Sequence, residues 1–200
     1  MSILALTANT LAGSPGAGQV EYDGQFYATD SNASRGQLER LVQGTIASAT
    51  GQTSIDFTGI PSWAKKITVM FLGFSTSGTS IVKIQLGTSG GIQTTGYGGT
   101  VSLVNAGGGA ATAYVSGAGF EIERSPTAAS TRYGSIVLNS FDTTSGNWVC
   151  TGAIGYSDAV SYNSTAGGKT LAAALTQLRI TTANGTDTFD AGSINIMYEG

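Results

Sequence analysis

Ser135-Ile136-Val137-Leu138-Asn139-Ser140-Phe141, then Asp142-Thr143-Thr144-Ser145-Gly146-Asn147, then Trp148-Val149-Cys150-Thr151 and on to Tyr156, reads as two strands joined by a turn. β-Branched and aromatic residues fill the arms, while Asp, Ser, Gly and Asn fill the middle, which is the pattern of a long antiparallel hairpin. The same grammar recurs on both sides of it. Val82, Ile84 and Leu86 alternate with Lys83 and Gln85, so that strand has one dry and one wet face. Phe120 and Ile122 alternate with Glu121 and Glu123, Val101 and Leu103 add a further strand, and Ile194 to Tyr198 ends the chain as another. Ile67 to Phe74 is almost continuously apolar, as expected of a central strand buried on both faces. Leu178 to Thr182 runs into Asn184-Gly185, the strongest short hairpin signal. About eight to ten short strands at this spacing predict an all-β fold, an antiparallel β-sandwich or jelly-roll-like domain. In this part of the chain only Thr170 to Leu175, with its Ala run, reads as helix.

Composition supports the same class. Of 200 residues 30 are Gly and only 10% are charged, against about 25% in an average protein. Long helices need charged residues on their wet faces, so few charges favour sheet. Histidine is absent, which excludes Ser-His-Asp and Cys-His catalysis and every His-ligated metal. A single Cys150 excludes an intramolecular disulfide and any multi-cysteine metal site, and its alternating strand context makes it a buried structural thiol. Nine basic and 12 acidic residues give a net charge of −3, and Lys65-Lys66 is the longest basic run, so nucleic acid is not an expected partner. No apolar stretch approaches the ~20 residues of a membrane helix. Met1 to Leu6 lacks a positive n-region and soon meets Thr7 and Asn9, so synthesis in a cytoplasm without secretory export is expected.

The first ~45 residues differ from the rest, because turn signals crowd between short apolar pairs. Val20-Glu21-Tyr22, Asp23-Gly24 and Gln25-Phe26-Tyr27-Ala28-Thr29 form a small hairpin signal, with Arg35-Gly36 closing the next loop. Leu38, Leu41 and Val42 then fall at helical spacing across Gln37 to Gln43, enough for a turn or two. A lone hairpin is marginal in water and needs a surface to lie on. The expected organisation is an extended anchoring segment over 1–45 and a sandwich over 46–200. Gly87 to Gly99 and Gly107 to Gly119 read as surface loops or as segments packed where chains meet.

Without histidine, carboxylate pairs are the remaining catalytic option. Glu121 and Glu123 share one strand face at ~7 Å, but the ordinary reading is the wet face of an alternating strand. Asp187 and Asp190 suit turns and caps, and two carboxylates fall short of a calcium loop. No catalytic, cofactor-binding or metal-ligating residue is therefore expected. Tyr97, Tyr114, Tyr133, Tyr156 and Tyr162 lie in or near Gly-rich stretches. Among them Tyr97, Tyr114 and Tyr162 are the candidates for a stacking platform that contacts a host receptor or surface glycan.

Gly18-Gln19-Val20-Glu21-Tyr22-Asp23-Gly24-Gln25-Phe26-Tyr27-Ala28-Thr29, followed by Arg35-Gly36, resembles a segment near the N-terminus of tailed-bacteriophage virion proteins of the tail-fibre and head-appendage type. The closing run from Leu178 to Ile196 resembles the C-terminal strands of phage-encoded sandwich domains. The resemblance implies a non-enzymatic virion protein, a fibre, appendage or decoration subunit on head or tail, often trimeric. It implies an N-terminal attachment segment, with Tyr22, Asp23, Gly24, Phe26, Tyr27 and Arg35 as the candidate anchoring residues toward other virion proteins. An adhesin module mediating host attachment is the alternative. Low charge adds a physical reason for self-association, since faces of Ser, Thr, Gly and Ala lack the charges that keep copies apart.

Overall fold

The computed structural model describes residues 9–105, 112–142, 146–158 and 161–200. The chain divides into two compact units, one ending at Arg40 and the other starting at Leu41. In the first, β1 (Val20–Tyr22), β2 (Phe26–Thr29) and β3 (Arg35–Gln37) form an antiparallel sheet in that order. Tyr22 pairs with Phe26, so the hairpin loop is the three residues Asp23, Gly24 and Gln25 rather than the two that Asp-Gly suggests. Gly24 takes the φ of +112° that this loop requires, and the Gln25 N–H donates to Asp23 Oδ1 at 3.1 Å.

The second unit begins with β4 (Leu41–Gln43) and β5 (Ala47–Ser48), both of which pair with the last strand. Gln37 to Gln43 is thus the last residue of β3 and the whole of β4, with no helix: the pairing of β4 with a strand ~150 residues away overrides the local helical spacing. There follow β6 (Ser54–Thr58), β7 (Lys66–Thr76), β8 (Val82–Thr88), β9 (Gly91–Ile92), β10 (Tyr97–Asn105), β11 (Thr112–Ser116) and β12 (Phe120–Glu121). The remaining strands are β13 (Arg132–Ser140), β14 (Asn147–Tyr156), β15 (Ser161–Thr170), β16 (Gln177–Thr182) and β17 (Phe189–Glu199). Among the described residues no helix is present, Thr170 to Leu175 included. There Leu171 and Leu175 turn into the core and the Leu171 N–H donates to the Gly146 carbonyl at 2.9 Å, so burial wins over alanine propensity.

These strands make a β-sandwich. Its larger sheet runs β11-β10-β15-β14-β13-β7-β17-β4, with β5 also on β17, and its smaller sheet runs β12-β8-β16-β6, with β9 on β8. One core lies between them: Ile67, Val69, Ile136, Leu138, Ile194 and Ile196 from the large sheet meet Val82, Ile84, Leu86, Leu178 and Ile180 from the small one. The β13–β14 hairpin forms as its sequence predicts. Asn184-Gly185 does turn, with Gly185 at φ +69°, but it carries the chain from one sheet to the other instead of closing a hairpin. Much of the two Gly-rich stretches is strand, in β8 to β11, although 106–111 lie outside the described residues.

β7 departs from its expected double burial. Ile67, Val69 and Phe71 face the core, whereas Thr68 and Met70 are half-buried and Leu72 is 68% exposed on the opposite face. Gly73, at φ +64°, is an extra residue opposite the Arg132–Tyr133 step, a β-bulge that resets the alternation so that Phe74 also turns inward.

Candidate interaction surface

The outward side of the large sheet is fixed by register. One row across it reads Val115, Thr100, Ala166, Thr151, Val137, Thr68 and Met197. The next reads Ala113, Ser102, Ser164, Ala153, Ser135, Met70 and Asn195, and the third Val104, Tyr162, Gly155, Tyr133, Leu72 and Ser193. None of these side chains is charged. The first charged residues on this face are Lys66 and Glu199, which pair at 3.0 Å at its margin. Apart from Met197, Met70 and Asn195 at one end, the first two rows are short side chains, and Ser102 and Ser164 join hydroxyls at 2.8 Å. The third row stands higher, with Tyr162 49% exposed and Leu72 68%. Between them lies an open trough of about 850 Å³ lined by Thr100, Ser102, Ser135, Thr151, Ala153 and Tyr162 among others.

The outward side of the small sheet is built differently. Glu121 sits opposite Lys83, and Arg179 sits between Gln85 and Asp56. Arg179 grips Asp56 with both Nε and Nη2, at 2.8 and 2.7 Å. Glu121 accepts from Arg124 at 3.0 Å. Glu123 is not on this wet face as its alternation suggests. β12 ends at Glu121, and Glu123 is fully buried against Arg132, itself fully buried. Arg132 Nε and the Tyr156 hydroxyl donate to Glu123 Oε2 at 2.5 and 2.6 Å, and the Val82 N–H reaches Oε1 at 3.2 Å. The remaining guanidinium nitrogens donate to the Ser130 and Thr127 carbonyls. Burial raises the Glu123 carboxyl above its ordinary range, against the pull of Arg132 and the hydrogen bonds it accepts. With both carboxylate oxygens engaged inside the protein, this cluster ties the end of β12 to β13 and β14.

The three candidate tyrosines are not brought together. Tyr97 is buried: its hydroxyl accepts from the Leu86 N–H at 2.6 Å and donates to the Gln93 carbonyl at 2.9 Å. Burial pushes its phenol up to about 12. Tyr114 pairs with inward Val101, and Arg124 lies over its ring at 3.7 Å. Only Tyr162 stands on the open face, joined there by Tyr133. All five tyrosines assigned to Gly-rich stretches are in strands, because each pairs within the large sheet.

Within the first unit, the candidate anchoring residues fall into two groups. The Tyr22 and Phe26 rings meet in tilted contact, centroids 4.9 Å apart across the hairpin, with Phe26 left 43% exposed beside exposed Asp23 and Gly24, while Tyr27 is half-buried. Arg35 is committed inside the unit: Nε donates to Glu21 at 2.8 Å and Nη2 donates to the Ala12 carbonyl. It braces the sheet that presents Phe26. Cys150 is buried as its context predicts, and burial pushes its thiol up to about 12. Compared with models of protein families, with curated proteins and with solved structures, the chain finds no match.

Proposed function

We propose that this protein is a non-enzymatic structural component of a tailed-phage virion, a fibre, appendage or decoration subunit on head or tail. The observation that carries the reading is the outward side of the large sheet, two rows across seven strands and a third across six without a charged side chain among the described residues. A monomer that stays apart in solution normally interleaves both charge signs on such a face. Assembly into a particle covers it. The likeness of the N-terminal and closing segments to phage virion proteins supplies the setting, and the first unit, ending at Arg40 where 1–45 was expected, is proposed to contact another virion protein through the Tyr22–Phe26 hairpin with its exposed Phe26. The subunit associates with copies of itself, and the resemblance implies three.

Mass spectrometry of purified particles of the encoding phage tests the reading. Peptides from both units are expected at a stoichiometry fixed from batch to batch, and their absence from particles that contain the other structural proteins overturns it.

A further inference from the structure

We propose that the outward side of the large sheet pairs back to back with the same side of a second copy of this chain. The inference rests on the self-association in the proposed function and names its surface and its symmetry, a two-fold in place of the three-fold that the resemblance implies.

Area comes first. Seven strands at about 4.8 Å spacing and three rows along them span roughly 30 by 20 Å. Two such faces bury more than the about 1,000 Å² that a specific interface needs, before side-chain relief is counted. Charge comes second. A self-pairing face brings like residues near like, so a face bearing Lys or Glu repels its own copy, whereas this one holds neither in its three rows. Shape comes third. The third row is a ridge, led by Tyr162, Tyr133 and Leu72, and it borders the trough floored by Thr151, Ser135 and Ala153. When two copies meet with strands antiparallel and the three rows in full overlap, the third row of each lies over the first row of the other, so the ridge of each enters the trough of the other. Ser, Thr and Ala there let the sheets approach to the ~10 Å of stacked sheets. Aromatic side chains filling pockets are the usual energetic centre of an interface.

Light scattering and sedimentation of the full chain read the outcome. The wild type is expected at the mass of two copies. Thr151→Lys and Ser135→Lys, each at an exposed position, are expected at the mass of one copy with unchanged circular dichroism and a still cooperative unfolding transition, which corresponds to at least a tenfold weaker Kd. Thr58→Lys, on the outward side of the small sheet, is expected to keep the wild-type mass. An equimolar mixture of Ser135→Lys and Ser135→Glu is expected to recover the two-copy mass, as the second row meets its own copy across the two-fold and opposite charges then face each other. A wild type of one or three copies overturns the proposal, and so does a two-copy mass in folded Thr151→Lys and Ser135→Lys. Either result leaves the virion reading standing or falling on the particle measurement alone.

Discussion

The two outward faces of the sandwich differ in one respect above all. The small sheet shows water Glu121, Lys83, Arg179 and Asp56, with Arg179 and Asp56 locked in a two-point grip. The large sheet shows hydroxyls, methyls, two tyrosines and a leucine, and its strand β13 carries its single charge, Arg132, on the inner side. A chain with so few charged residues has placed them unevenly. On a strand, position relative to the pleat decides whether a charge meets water, the core or another molecule. In the proposed assembly the difference separates a face finished by solvent from a face finished by contact.

Arg132 is the charge whose loss should cost this fold most. If an inward charge in the large sheet is tolerated only because Glu123 meets it, Arg132→Ala leaves a carboxylate buried without its cation. The expected cost is about 3–5 kcal/mol in denaturant unfolding. Arg132→Ala combined with Glu123→Ala is expected to cost clearly less than the sum of the two single variants. Additive costs would mean that the pair does not act as one unit.

Tyr97 sharpens the same contrast from the polar side. It is a large-sheet residue whose hydroxyl is spent on the Leu86 backbone of the small sheet, where Tyr162 leaves its own in the open. Tyr97→Phe deprives the Leu86 N–H of its acceptor, so a loss of about 1–2 kcal/mol is expected. The pH profile follows from the sign of the shift. The phenol titrates near about 12 when folded and near about 10 when unfolded, so the unfolded chain releases its proton first. Its contribution is complete below pH ~10 and is lost as pH rises from there through 12. Tyr97→Phe should flatten that decline without abolishing it, because buried Cys150 titrates in the same direction. An unchanged slope in urea titrations across this range rules the assignment out.

How much of this was legible in the residues depends on where the information sits. The β13–β14 hairpin and the alternation of β8 announce themselves, because turn and pattern lie within one contiguous stretch. β15 does not. Tyr162 is its one large apolar side chain, and its inward face is Asn163, Thr165 and a glycine. A Cβ on Gly167 would meet the Gly98 carbonyl at 2.7 Å. Its identity as a strand comes from its neighbours β10 and β14. β4 is hidden for a related reason, since its partner is the far end of the chain. The uncharged face was visible as a composition but not as a place: it exists only once seven strands take their register. Tyr97 and Glu123 read differently in sequence because the Gly-rich stretch and the Phe120–Glu123 alternation hide a long strand and a strand end.

The smallest expected effect lies on the wet face. Arg179 and Asp56 form the best-aligned ion pair there, with side chains 38% and 35% exposed. Water screens such a pair and competes for both partners, and holding two long side chains in one geometry costs entropy. Arg179→Ala is therefore expected to cost under about 1 kcal/mol, and to cost less as salt is raised toward ~1 M, where the screening length falls to about 3 Å. The two-point geometry places it toward the top of that range. Association should not change, because this face is the one that solvent completes. Measured beside Arg132→Ala, the variant separates burial from mere pairing as the source of cost. Two guanidinium–carboxylate pairs of similar length, one without exposure and one more than a third exposed, should differ several-fold. Equal losses would mean that the small sheet's outward face depends on its charges for folding and not for staying in water.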